Sequence, residues 1–484
     1  MSSPSSPVAA SFRDPAGRLF RTSDAIVRVI APSGLADFEA FRSSAAARAF
    51  IERGRLVTAT PMEAVDIAAL RDTPEMGEAL SGEVGAVVRH QRLAFPSYPY
   101  EWPAEMLHAS GLLTLDLALA AFDEGLGLKD ATPWNVLFSG PTPVFVDWLS
   151  MERRDPHDPT WLPYAQFVRT FVLPLIAHRE FHTPLDQIFL SRRDGLEPED
   201  VYRASGRLSR LKPSLLAHAT LPTWLSRGST ANDAQTWAPK RIDDAERARY
   251  VLRSVFTRLR RAMVRLTPGA AASKWTGYMA GKSHYSDADF ARKERFVLAA
   301  LEQVRPARVL DVGCNTGYFS ALAARAGASV VALDGDAAVA GRVWRRAAAE
   351  RLDILPLVVN LARPSPATGW RNAECPSFLG RAEGYADLVL VLAVLHHLLV
   401  TERVPLRDVL HLAADLTRDA AVIEFVAPED PMFRRLTRGR DHLHTGLTAE
   451  AFEAACAERF EIVASERAEG GTRALYLLRR RGRG

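Results

Sequence analysis

The sequence predicts an α/β fold for its C-terminal part, a mainly parallel sheet covered by helices, after an α+β N-terminal region. Three observations carry this. First, from about Arg292 apolar runs of strand length alternate with helical patterns: VRPARVLDVG, FSALAARAGA, SVVALDGD, a helix to Arg351, ILPLVVN and ADLVLVLAVLHH. Such β–α alternation puts parallel strands under helices on both faces. Second, a turn with Gly313 and Gly317 sits where the first of these strands gives way to a helix. Third, the N-terminal part mixes short extended stretches, such as AIVRVI (25–30), with helical ones, of which GLLTLDLALAAFDEG (111–125) is the clearest. There NVLF (135–138) and PVFVDWLS (143–150) read as two short strands joined by the turn residues SGPTP.

The bulk numbers fit two or three folded domains. Of 484 residues, 48% are hydrophobic and 24% charged, which is ordinary globular composition. The expected division is a disordered Ser/Pro/Ala-rich tail over 1–11 and an N-terminal domain over 12–227. A linker and connecting helix follow over 228–275, and the C-terminal domain covers 276–484. In the linker region RARYVLRSVFTRLRRAMVRL (247–266) reads as a helix with a solvated arginine face. WLPYAQFVRTFVLPLIAHR (161–179) reads as a buried helical segment broken or kinked at Pro174. A net charge of +4 gives no reason to expect a nucleic-acid partner. The longest apolar run, Leu388–Leu395, is too short to span a bilayer. Cys314, Cys375 and Cys456 are scattered and odd in number, which argues against disulfides and metal sites and for a cytoplasmic location.

The chemistry-bearing stretch is Val309-Leu310-Asp311-Val312-Gly313-Cys314-Asn315-Thr316-Gly317-Tyr318-Phe319-Ser320. Its G-x-x-x-G spacing departs from the dinucleotide fingerprint, so it makes a poor pyrophosphate cradle. The pattern D-x-G-C-x-x-G resembles motif I of class I S-adenosyl-L-methionine (SAM) methyltransferases, which implies a Rossmann-like domain. By that resemblance the loop Gly313–Gly317, with Asn315 inside it, packs against the methionine part of SAM. Asp311 then orients the loop or binds the SAM ammonium, directly or through water. The next strand ends in Asp334, whose carboxylate suits the two ribose hydroxyls, with Asp336 as second candidate. The third ends in Asn360, at a position that commonly contacts adenine in this family, though often as Asp; a simple turn asparagine fits it almost as well. The fourth brings His396 and His397 to its C-terminal end, where a histidine can take a proton from an acceptor hydroxyl or carboxyl; His397 is preferred. Glu424, in AVIEFV, ends the fifth strand and is a lesser candidate for the substrate side. Upstream, Tyr278, His284 and Tyr285 precede the helix that holds Lys293 and read as a lid.

In the N-terminal region, Leu128-Lys129-Asp130-Ala131-Thr132-Pro133-Trp134-Asn135, followed by Asp147, resembles the kinase catalytic loop D-x-x-x-x-N and the metal-binding Asp of the next strand. The resemblance implies a kinase-like lobe in which Asp130 accepts a hydroxyl proton while Asn135 and Asp147 hold Mg²⁺. The sequence departs from it at Leu128, where kinases carry His. It also has no G-x-G-x-x-G loop and no V-A-I-K lysine; Arg28 is the nearby cation. These departures predict a degenerate binding or scaffold domain without phosphotransfer.

Taken together, SYPYEWPAEML (97–107), LKDATPWNVLF (128–138), PVFVDWLSMERR (143–154), LDVGCNTGYFS (310–320), LPLVVNLARPSPATGW (355–370) and LAVLHHL (392–398) resemble a bacterial family of SAM methyltransferases of the nodulation-protein (NoeA-like) type. The resemblance covers nearly the whole chain after residue 12. It implies SAM as cofactor and methyl transfer, most naturally to oxygen, on a small-molecule or glycoconjugate acceptor. The rival expectation is a nucleotide-binding scaffold or regulatory protein, or a bifunctional kinase–methyltransferase, acting through the N-terminal region.

Overall fold

A computed structural model describes residues 6–7, 9–22, 24–71, 74–228, 241–269, 287–467 and 471–482. Contacts divide the chain into two units: Met1–Gly269 with Ala367–Cys375, and Ala270–Pro366 with Pro376–Gly484.

The first unit opens on an antiparallel sheet of β1 (Ser6–Pro7), β2 (Gly17–Arg21), β3 (Ala25–Ile30), β4 (Ala59–Pro61) and β5 (Ala86–Gln91), in the order β1-β2-β3-β5-β4. The expected disordered tail therefore contributes a strand, Ser6 and Pro7 pairing with Arg21 and Phe20. A helix, Ala104–Asp123, follows. It is long and apolar enough to cross a membrane by length and composition alone, but two thirds of it is buried inside the unit, as a core helix is. Then come β6 (Leu126–Leu128), the hairpin β7 (Val136–Ser139) and β8 (Thr142–Phe145), and β9 (Met151–Arg153), which pairs with β6.

Pro174 does not break the segment 161–179. The irregularity lies just before it, a π-helical turn over Val168–Val172 in which the Leu173 N–H reaches back to the Val168 carbonyl. A wider turn is a natural answer to a proline that lacks an N–H and crowds the carbonyl four residues back.

The helix Ala245–Arg265 is no free connector. Ala248, Leu252, Phe256, Leu259 and Met263 form its buried stripe. The helix packs closely on Ala104–Asp123 at Gly111, where a Cβ would sit 2.7 Å from Met263 Cε. Arg253 pairs with Asp123, and Arg260 bonds Asp116 at 3.0 Å. The nine residues Ala367–Cys375 also belong to this unit. Glu374, with 1% of its side chain exposed, accepts from Arg13 at 2.7 Å, pairs with Arg193 at 3.3 Å and accepts the Trp370 N–H at 2.8 Å.

The second unit is a seven-stranded sheet. Its strands are β10 (Arg308–Val312), β11 (Ser329–Asp334), β12 (Ile354–Val358), β13 (Ala386–Val391), β14 (Thr417–Val426), β15 (Phe460–Arg467) and β16 (Arg473–Arg480), in the order β12-β11-β10-β13-β14-β16-β15. β10 to β14 run parallel; β16 runs antiparallel to β14 and β15 antiparallel to β16. β10, β11 and β13 are buried along nearly their whole length, as strands covered on both faces must be. The chain leaves β10 toward β11 and β12, then returns to β13 on its other side. This reversal opens a crevice at the carboxyl ends of β10 and β13, the place where open α/β sheets bind ligands.

Candidate active site

At β10 the chain turns sharply into the helix Tyr318–Arg325. Gly313 has φ +68, and a Cβ on it would collide with Val394. Asn315 has φ +47, its side chain accepting from the Thr316 N–H at 2.7 Å, which makes the left-handed conformation tolerable. Gly317, φ +71, opens the helix, where a Cβ would press on the Val343 methyls at 3.0 Å.

A cavity of about 220 Å³ forms over this turn. Among its walls are Asp311, Gly313, Asn315, Asp334 and His397, five of the residues singled out from sequence. Gly317 and Asn360 do not line it. Gly317 shapes the turn, and Asn360 fixes its own, accepting from the Ala362 N–H at 2.9 Å. The Asp334 carboxylate takes the Asn315 N–H at 3.1 Å and the Asp336 N–H at 2.9 Å, tying the glycine-rich loop to the end of β11. Asp336 instead caps the following helix through the Ala338 N–H.

Burial pushes the Asp334 carboxyl up to about 6, and no described residue gives it a countercharge. Burial likewise pushes Asp311 up to about 6, although Ser320 Oγ donates to it at 2.5 Å and Lys293 lies near enough to oppose the shift. The Cys314 thiol, buried beside both carboxylates, is held well above its ordinary range and stays protonated. Two desolvated carboxylates in the wall of one cavity fit a ligand that brings hydroxyl donors and a cation, which a nucleoside joined to an amino acid does.

The histidines sit differently from the sequence expectation. β13 ends at Val391, and Ala393 adopts φ +57. His396 and His397 then lie in the helix Leu395–Val400, not on the strand. The apolar run continues through this corner, which hides the end of the strand. His397 lines the cavity half-buried, and burial holds its imidazole below 6.5. His396 does not line it. It is 1% exposed, has neither ring nitrogen hydrogen-bonded, and is pushed down to about 3 by burial and then by His397.

Glu424 is not free to face an acceptor. Lys293 Nζ donates to it at 2.5 Å, and Arg473 lies 3.4 Å away, itself bonded to Asp430 at 2.8 Å. Lys293 also stands 5.3 Å from the Phe319 ring centroid and joins the cavity wall with Phe290 and Tyr318. Nothing in local spacing links Lys293 to Glu424, 131 residues on. The one available signal was its type, one of six lysines in a chain that otherwise uses arginine. The proposed lid residues Tyr278, His284 and Tyr285 lie outside the described residues.

The first unit holds a second polar cluster. Asn135 Nδ2 donates to the Asp130 carbonyl at 3.0 Å, to its carboxylate at 3.3 Å and to Ser150 Oγ at 3.2 Å. Ser150 donates to Asp147 Oδ2 at 2.5 Å, and Arg28, on β3 and 4% exposed, donates to Asp147 Oδ1 at 3.0 Å. Gln166 donates to the other Asp130 oxygen. Burial raises the Asp130 carboxyl against these bonds.

Residues 285–458 match a methyltransferase-domain family. Over 481 residues, 98% of this chain and 96% of the relative, the sequence is 30% identical to the nodulation protein NoeA of Rhizobium meliloti (strain 1021). Among solved structures, WbdD is 20% identical over 40% of this chain and 40% of its own, with a TM-score of 0.30. The N-methyltransferase NodS from Bradyrhizobium japonicum WM9 is 18% identical over 40% of this chain and 99% of its own, with a TM-score of 0.29. The chain belongs to the NoeA family, and its second unit is a SAM-dependent methyltransferase with a Rossmann-like fold.

Proposed function

We propose that this enzyme methylates an oxygen nucleophile on a small-molecule or glycoconjugate acceptor, with His397 as the proton acceptor. The observation that carries the reading is a half-buried, neutral imidazole in the same cavity as Asp311 and Asp334. SAM, when bound, supplies an electrophilic methyl group. Asp334 would accept from its ribose hydroxyls, Asp311 would face its ammonium, and the Gly313–Asn315 backbone would come close to its methionine part. A histidine held below 6.5 is unprotonated at neutral pH and can take a hydroxyl proton as the methyl moves. The Lys293–Glu424–Arg473 chain keeps charge beside the cavity fixed, so Glu424 acts on position rather than on the proton.

His397→Ala should lower kcat by about 10²–10⁴-fold while SAM affinity stays within about twofold. The measurement uses tritiated SAM against a panel of oligosaccharides and phenols, with calorimetry for SAM. Unchanged kcat would reduce His397 to a wall residue and leave positioning alone as the source of rate.

A second reading concerns the first unit. We propose a kinase-like lobe that no longer transfers phosphate. Supporting it are Asp130 and Asn135 on one hydrogen-bonded loop, Asp147 after the β7–β8 hairpin, and Arg28 on β3 reaching Asp147. Calorimetry of the full chain with ATP–Mg²⁺ tests it. ATP turnover that is lost on Asp147→Ala would restore the bifunctional reading.

A further inference from the structure

The helix Ala245–Arg265 carries two kinds of arginine. Arg249 and Arg253 face Asp123, and Arg260 faces Asp116. Arg258, Arg261 and Arg265 have no acidic partner among the described residues. Their spacing puts these three on one face, where like charges three and four apart oppose the helix. That face is one wall of a cavity of about 1000 Å³ contained in the first unit.

Another wall is apolar. Trp161, Leu162 and Tyr164 line it, the last two 64% and 43% exposed although large and apolar or aromatic. His218 lines the same cavity, and its imidazole is pushed down by burial, so it adds a neutral hydrogen-bonding group rather than a fourth charge. Arg179 is committed elsewhere, donating to the Arg265 carbonyl at 2.9 Å and to Ser214 Oγ at 3.0 Å. The neighbouring sequence brings no net negative charge. Residues 229–240 hold one Asp and one Lys, and residues 270–286 hold Lys274 and Lys282 with no acid.

We propose that this cavity binds a small amphipathic anion, with an apolar body against Trp161, Leu162 and Tyr164 and a phosphate, sulfonate or carboxylate head on Arg258, Arg261 and Arg265. The volume suits a ligand of drug size, and planar guanidinium groups suit oxyanion heads. The site is independent of the methyl-transfer cavity and of the reading given to it above.

Calorimetry on the full chain tests this with four probes: dodecyl phosphate below its micelle concentration, inorganic phosphate, decanol, and phosphatidylglycerol vesicles. Dodecyl phosphate should bind saturably at one per chain, at least about tenfold tighter than phosphate or decanol, since only it uses both walls. Arg261→Gln with Arg265→Gln should weaken it by about tenfold or more, and Arg253→Gln should leave it unchanged. Ala217→Trp, filling the cavity from another segment, should also abolish binding, which covers the case of a double variant that fails to fold. An unchanged far-ultraviolet circular dichroism spectrum and thermal melt in each variant marks the fold as intact. Phosphate or decanol binding as tightly as the combined molecule would overturn the proposal. So would binding to vesicles alone, binding that the double variant leaves unchanged, or binding that survives Ala217→Trp.

Discussion

The two units each gather carboxylates beside a turn, and they partner them differently. In the second unit Asp334 has only backbone N–H donors and no described countercharge, so burial lifts it to about 6. In the first, Asp147 has Arg28 and Ser150, and Asp130 has Asn135 and Gln166. The carboxylates of the first cluster take side-chain partners from their own chain; in the second, Asp334 is left with backbone donors alone. Desolvated groups left short of partners mark a place where a ligand completes the hydrogen bonding. Self-satisfied groups mark a place where the fold has already done so.

The sharpest way to break this contrast is at Gly313. Its φ of +68 and the collision of any Cβ with Val394 leave no room for a side chain. Gly313→Arg should therefore abolish SAM binding by calorimetry while leaving the first unit folded. Measurable SAM affinity in that variant would remove the glycine-rich loop from the cofactor site. Next, Asp334→Ala should cost roughly 1.5–3 kcal/mol in SAM affinity, the usual value for hydrogen bonds to a charged group. The pH dependence has a definite sign. Asp334 accepts two hydroxyls best when ionised, and burial pushes its carboxyl up to about 6. Wild-type affinity should therefore fall as pH drops below about 6, by up to a factor of ten per unit for each proton displaced. Asp334→Asn should fall less steeply, with Asp311 supplying what slope remains. A wild-type affinity flat from pH 7 to 5 would mean that Asp334 is not a ligand. The smallest effect belongs to the self-satisfied cluster. Arg28→Ala should lower stability by about 1–3 kcal/mol in thermal melts, under the cost of breaking a fully buried pair because Asp147 is 26% exposed. SAM affinity should not move. An unchanged melting temperature would show that Asp147 does not depend on Arg28.

How far the sequence revealed these sites follows from what each depends on. The glycine-rich loop and Asp334 were legible because their chemistry is local: a strand, a left-handed turn and an acid at the next strand's end. The region of Asp130, Asn135 and Asp147 was legible for the same reason, since a single hairpin separates them. His397 was legible as a residue but not as an element. The leucines and valines that bury β13 run on past Ala393 into the helix Leu395–Val400, and apolar content alone does not mark that corner. Asn360 reads from its position as either a ligand or a turn residue, and its side chain braces a turn through the Ala362 N–H. The ion pairs of Glu424 were not legible because its partners, Lys293 and Arg473, arrive from a distant helix and strand. The acid-paired arginines of the helix Ala245–Arg265 were hidden similarly, since Asp116 and Asp123 precede them by more than a hundred residues.

The stretch Ala367–Cys375 has a practical consequence for anyone who would cut this protein in two. It lies within the methyltransferase sequence, yet Glu374 supplies the carboxylate on which Arg13 and Arg193 converge. A fragment ending at Gly269 would keep both arginines and lose their acid, while a fragment beginning at Ala270 would carry a glutamate built for burial with nothing to cover it. The polypeptide runs from one unit to the other three times, at 269–270, 366–367 and 375–376. A gene fusion or split at any single point therefore severs a fold rather than a tether. The two halves are stitched rather than strung, and an exchange of either with a relative has to bring the loop along.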